Sequence, residues 1–152
     1  MNAVLQTVWD RFLCPLLQRP KGLQVAALCH RGMGDNKEYL LVTSRDTGRW
    51  IIPKGWPSRG LKSNEAALQE AWEEAGVLNS KATSQPVGTY TYQKRKSSGL
   101  EIPVETLVYS VEVEALSEDF PEAHERKRKW VNADAAIEMV NEAELKTIFR
   151  SQ

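Results

Sequence analysis

Gln69-Glu70-Ala71-Trp72-Glu73-Glu74-Ala75-Gly76-Val77 carries the most chemical information in this chain. Residues 64–75 are dominated by Ala, Leu, Gln and Glu, all compatible with a helix, and Gly76 stands where such a helix would end. On that helix Glu70, Glu73 and Glu74 are related by i, i+3 and i+4, which puts three carboxylates on one face within about a turn. Like charges there repel by only tenths of a kcal/mol per pair on a solvated helix, so an ordinary acidic surface would account for them equally well. On this reading, neutralising any one of the three stabilises the metal-free protein slightly. Two features favour chemistry over a bland surface. Ala66, Ala67, Ala71 and Ala75 are small enough to let the helix dock closely on a sheet, which fixes the acidic face in space. The preceding loop, Pro53-Lys54-Gly55-Trp56-Pro57-Ser58-Arg59-Gly60, can offer backbone oxygens to a cation and positive charge to a phosphate. An all-oxygen ligand set without His or Cys suits Mg²⁺, with Mn²⁺ as substitute.

Working outward, residues 25–29 and 39–43 are apolar β-favouring runs separated by Gly32, Gly34, Asp35 and Asn36, the pattern of two strands and a loop. A short strand at 50–52 stops at Pro53. Strand character returns at 87–93 and, after a polar turn at 94–99, at 106–113, which together predict a hairpin. Residues 127–131 read as one more strand, and 133–149 as a helical end broken near Asn141. The order is three strands, helix, two strands, strand, helix. A helix inserted among hairpins predicts a mixed sheet covered by helices on both faces.

The 152 residues make one domain, and 41% hydrophobic with 26% charged residues are globular proportions. Twenty basic residues cancel twenty acidic ones, so no overall field draws the molecule to nucleic acid or an anionic membrane. Cys14 and Cys29 lack metal-ligand spacing and read as reduced core thiols. Leu5, Val8, Trp9, Phe12 and Leu13 predict a short helical extension over residues 1–22, ending near Pro15 and packing on the body or on a second subunit, ahead of a domain at 23–152. No targeting or spanning segment is read there. The expectation is a cytoplasmic monomer or homodimer with a small-molecule substrate and no extended nucleic-acid surface.

Gly55 to Val77 resembles the Nudix box: a Gly, five residues, a Glu, seven residues, then Arg-Glu-apolar-x-Glu-Glu-x-Gly-apolar. Gly55, Glu70, Ala71, Glu73, Glu74, Gly76 and Val77 fall at the required spacing, while Leu61 stands for the first Glu and Gln69 for the Arg. In the family those two side chains are thought to pair with each other, so their joint loss strands neither charge. The resemblance implies a Nudix-type α/β/α sandwich and a metal-dependent pyrophosphohydrolase. Glu70, Glu74 and the carbonyl of Gly55 would hold metal, and Glu73 would act as the base. Residues 49–53, 88–95 and 126–135 are further similar to the diphosphoinositol polyphosphate phosphohydrolase branch, whose members also take dinucleoside polyphosphates. That match puts substrate-phosphate contacts on Ser44, Arg45, Arg95 and Arg126, with Lys54 steadying the same anionic chain. The branch's Gly-rich box loop is replaced by Lys54-Gly55-Trp56-Pro57.

Other signals are weaker. In the run Arg126-Lys127-Arg128-Lys129, strand alternation lets one pair face a site; Arg126 is expected to function and the other three to be solvated. Trp56 stacks on a base or packs under its loop, and Trp72 packs. His30 and His124 are isolated. Glu101, Glu105, Glu112 and Glu114 are candidates for an additional carboxylate from outside the box. Rival functions are hydrolysis of nucleoside diphosphate sugars or RNA 5′ ends, and a non-catalytic nucleotide-sensing module.

Overall fold

In the computed structural model, residues 23–152 are described; Cys14 and the helix expected over residues 1–22 lie outside them. β1 (Leu23–Arg31) is the spine of an eight-stranded sheet. Its 25–29 run is fully buried because both faces are covered, and its side chains alternate between two cores. Val25, Ala27 and Cys29 point to one, Ala26 and Leu28 to the other.

β2 (Glu38–Thr43) and the two-residue strands β3 (Trp50–Ile51) and β4 (Lys54–Gly55) precede helix α1 (Ser63–Ala75). Short pairs β5 (Val77–Leu78) and β6 (Lys81–Ala82) follow, then the hairpin of β7 (Gly88–Arg95) and β8 (Glu101–Glu112). β9 (Ala115–Leu116), β10 (Arg128–Val131), α2 (Ala133–Met139) and α3 (Ala143–Ser151) complete the chain. The sheet runs β10-β2-β1-β8-β6, with β3 on β2, β4 on β1 and β7 on β8, and β1–β8 is its parallel pair. A small separate ladder joins β5 to β9.

α1 covers one face through Ala66, Ala67, Ala71 and Ala75, each at most 1% exposed, as their size led one to expect. α2 and α3 cover the other through Ala136, Leu145, Ile148 and Phe149. The layers are therefore helix, mixed sheet, helices. At the start of α1 the Glu65 carboxylate accepts the Lys62 N–H, and at its end Gly76 adopts φ +70°. A side chain at Gly76 would be strained by that φ and would overlap the Ser117 carbonyl. No helix among the described residues is long and apolar enough to cross a membrane.

The hairpin arms run further than the sequence pattern implied, to Arg95 and from Glu101, so the turn shrinks to residues 96–100. Polar residues there keep the ladder because the arms pair edge to edge beyond the covered part of the sheet. The predicted helical end is two helices with a break at 140–142.

Candidate active site

β4 is pinned to the spine, with Val25 opposite Gly55 and Ala26 opposite Lys54, and this fixes the loop in front of α1. The absent Gly55 side chain is what lets Glu70 in: a Cβ there would overlap the Glu70 carboxyl group. Burial, and then repulsion from Glu74, Glu73 and Glu122, pushes the Glu70 carboxyl up to about 7. One turn along, Glu74 is 6% exposed. Its Oε2 accepts the Lys54 N–H at 3.2 Å and its Oε1 meets Arg126 Nη2 at 3.0 Å. Burial still outweighs Arg126 and pushes Glu74 up, to about 7. Glu73 accepts at 3.0 Å from the Gln69 amide, whose oxygen in turn accepts from the Ser58 hydroxyl at 3.1 Å.

Glu122, which the sequence reading did not single out, completes the cluster. Its N–H donates to the Glu73 carbonyl at 3.0 Å, which ties the 117–127 loop to the carboxylate face of α1. Its side chain meets Arg45 at 2.9 Å and Arg126 at 3.4 Å. The signal available in sequence was the i, i+4 spacing of Glu122 and Arg126. Glu101, Glu105, Glu112 and Glu114, the candidates named for an additional carboxylate, do not line this pocket.

A cleft of about 470 Å³ collects Ser44, Arg45, Lys54, Gly55, Trp56, Glu70, Glu73, Glu74, Glu122 and Arg126. All the expected site residues except Arg95 therefore meet in one place. Arg95, 75% exposed beside Glu101, instead borders an adjoining groove of about 980 Å³ with Arg49, Lys94 and Lys96. Ser44, Lys54 and Lys94 line both spaces. The Lys54 ammonium lies 4.7 Å from the centre of the Tyr92 ring, and burial brings it down to about 8 although Glu74 opposes that shift.

Arg126 is 6% exposed, and its guanidinium is directed at Glu74, Glu122 and the Thr43 carbonyl. Arg128, expected to be solvated, is not. It donates to the Ala75 and Ser117 carbonyls at 2.7 and 2.8 Å and caps the C-terminus of α1, where the helix dipole favours a cation. Lys127 and Lys129 are exposed, as expected. Cys29 is a buried free thiol that burial pushes up to about 12, in keeping with an inert core cysteine.

The pocket fits a hard divalent cation. It holds five acidic side chains (Asp46, Glu70, Glu73, Glu74 and Glu122) against four basic ones (Arg45, Lys54, Lys94 and Arg126), and its acidic donors are oxygens; burial first of all raises Glu70 and Glu74. Among the described residues no three His, Cys, Asp or Glu side chains already converge on one coordination point. Glu74 has both oxygens engaged, one by the Lys54 N–H and one by Arg126.

Diphosphoinositol polyphosphate phosphohydrolase 2 of Mus musculus is 29% identical over 119 residues, 77% of this chain and 62% of that protein. Diphosphoinositol polyphosphate phosphohydrolase 3-beta of Homo sapiens is 31% identical over 126 residues, 80% and 71% of the two chains. The chain thus spans about three fifths of the length of the first of these relatives. The C. elegans Ap4A hydrolase structure superposes with a TM-score of 0.63 at 20% identity, covering 85% of this chain and 93% of that one, and shares the fold. With Gly55, Glu70, Glu73, Glu74 and Gly76 at the spacing the box requires, and with the NUDIX domain family matching residues 21–150, the chain belongs to the NUDIX domain family.

Proposed function

We propose that the protein is a metal-dependent pyrophosphohydrolase that cleaves a phosphoanhydride bond in a polyphosphorylated small molecule. The observation that carries this reading is the gathering of Glu70, Glu73, Glu74 and Glu122 with Arg45, Lys54 and Arg126 in one cleft that opens onto a basic groove. A pocket with more acid than base would repel a polyphosphate by itself. A divalent ion, Mg²⁺ or Mn²⁺, would neutralise non-bridging phosphate oxygens and polarise the bond to be cleaved. Glu70, Glu74 and the Gly55 carbonyl are the groups that would hold it.

Glu73 is the proposed base. The Gln69 amide orients its carboxylate and Ser58 orients Gln69, so the carboxylate is held for one direction of attack on water. Arg45 and Lys54 face the reacting phosphates, while Lys94, Arg95 and Lys96 of the hairpin receive the rest of the anionic chain. The groove counts five basic side chains (Arg49, Lys54, Lys94, Arg95 and Lys96) against three acidic ones (Asp46, Glu101 and Glu142), the opposite balance from the cleft. This division supports a substrate with several consecutive phosphates, of the dinucleoside polyphosphate or diphosphoinositol polyphosphate class. Balanced charge and an inert core thiol accord with work in the cytoplasm.

The test is release of phosphate-bearing products from diadenosine polyphosphates, a diphosphoinositol polyphosphate, ADP-ribose and triphosphate-ended RNA, with Mg²⁺, Mn²⁺ or EDTA. Cleavage that needs metal and rises with phosphate number is expected. ADP-ribose as the preferred substrate would overturn the substrate class, and nucleotide binding without turnover of anything would leave a sensing module.

A further inference from the structure

Two aromatic side chains line the cleft: Tyr92 is buried beneath the Lys54 ammonium, while Trp56 stands exposed and is not used by the chemistry above. Trp56 is 45% exposed, and among the described residues it is the aromatic member of a short set of exposed large hydrophobic side chains. It lines the same cleft as the four glutamates, Arg45 and Lys54. Its backbone is held on both sides: the preceding Lys54 and Gly55 are laddered to β1, and the following Pro57 confines residue 56 to extended conformations. An indole kept half in water on a fixed loop, beside a phosphate-sized cluster of charge, loses little freedom when a flat ring stacks on it.

We propose that Trp56 is the stacking platform for the nucleobase of a nucleoside polyphosphate whose phosphates occupy the glutamate cleft. The inference rests on the polyphosphate reading above and narrows it, since an inositol ring is puckered, carries no π face and gains nothing comparable from an indole. Trp56 is then a specificity-determining residue for nucleotide over inositol substrates. It holds the ring end of the substrate, and the cations of the hairpin groove hold the far end.

Calorimetry with a methylene-bridged diadenosine tetraphosphate analogue and with linear tetrapolyphosphate separates the ring from the phosphates, and neither probe requires turnover. Trp56→Ala should weaken the diadenosine analogue roughly 5- to 150-fold, the range of one base–aromatic stack, and leave tetrapolyphosphate within about twofold. Trp56→Phe should recover most of the loss and guards against a variant that merely disorders the loop. Equal effects on both probes, or none on the analogue, overturn the proposal. In turnover assays, a wild-type preference for the diphosphoinositol polyphosphate that Trp56→Ala leaves unchanged would overturn it too, with hydrolase chemistry intact. If no substrate is cleaved, the hydrolase reading fails while the calorimetric comparison still decides the stack.

Discussion

Removing the guanidinium of Arg126 should destabilise the metal-free protein by an amount that grows with pH. Arg126 is buried, 3.0 Å from Glu74 and 3.4 Å from Glu122, so Arg126→Met keeps most of the volume and deletes the charge. Loss of one partner from a buried ion pair costs about 3–5 kcal/mol when the other must stay ionised. Glu74 has an alternative, because burial already holds its carboxyl near 7 and loss of the cation raises it further. A carboxyl raised in the folded state keeps a proton that the unfolded chain releases above about 4.5, so its cost accumulates as pH rises and vanishes when both states are protonated. Because the wild-type carboxyl already titrates near 7, a further rise adds at most about 1.4 kcal/mol by pH 8, so the variant's deficit should be about 2–3 kcal/mol at pH 8 and fall to about 1–2 kcal/mol at pH 5, the remainder being the lost bond to the Thr43 carbonyl and imperfect packing. Urea unfolding of both proteins in EDTA at the two pH values measures this. Repeating it with Mn²⁺ should shrink the pH 8 deficit, because a bound divalent ion substitutes for the missing charge. A deficit that is flat with pH, or larger at pH 5, would refute the argument that Arg126 neutralises Glu74.

Further expectations concern the same cluster. Glu73→Gln should leave substrate affinity nearly intact and lower kcat by about 10²–10⁴, the usual size of a lost general base, as read by steady-state kinetics beside calorimetry. Gly55→Ala should raise the Mg²⁺ concentration needed for half-activity, because the new methyl overlaps the Glu70 carboxyl group; an unchanged metal requirement would count against Glu70 as a ligand. In the metal-free wild type, the raised Glu70 carboxyl should make the melting temperature fall as pH rises from about 4.5 to about 7, and Glu70→Gln should flatten that slope and gain about 1 kcal/mol at pH 8, the effect being reduced by water around a half-buried group. Gln69→Ala, which breaks the link from Ser58 to Glu73, should lower kcat with little change in KM, and Gln69→Glu should lower it more by setting a like charge beside Glu73.

The central helix, the strands that flank it and the three-layer arrangement were legible because their signals are local. Residues 25–29 are continuously apolar since both faces are buried, and α1 ends at Gly76 since nothing else fits a left-handed cap under the Ser117 carbonyl. What escaped was set by tertiary pairing. β4, β5, β6 and β9 are two residues each and exist only because a partner strand runs beside them. Glu122 escaped for the same reason: nothing in its neighbourhood says that its N–H is tied to the Glu73 carbonyl on a helix nearly fifty positions earlier. Arg128 was read as solvated because strand alternation ignores a helix end, and the Ala75 carbonyl that captures it is invisible until the fold brings the two together.

The two departures from the Nudix box take on a physical meaning in the structure. Leu61, which stands for the first Glu, is 41% exposed, so the missing carboxylate is not replaced by a buried apolar contact. Gln69, which stands for the Arg, has turned its amide to Glu73 and its oxygen to Ser58. An arginine there would need a counter-charge; without Glu at 61 the nearest would be the helix carboxylates themselves, which would tie up a base in an ion pair. A glutamine fixes the direction of Glu73 by a hydrogen bond and leaves its charge uncommitted. By resemblance the related branch is rich in glycine across this loop, whereas here it carries Trp56 and Pro57, so the lost salt bridge and the added rigidity fall within one segment. The loop thereby sets an exposed indole beside a charged cleft. That is an environment suited to a substrate with a flat ring at one end and a run of phosphates at the other.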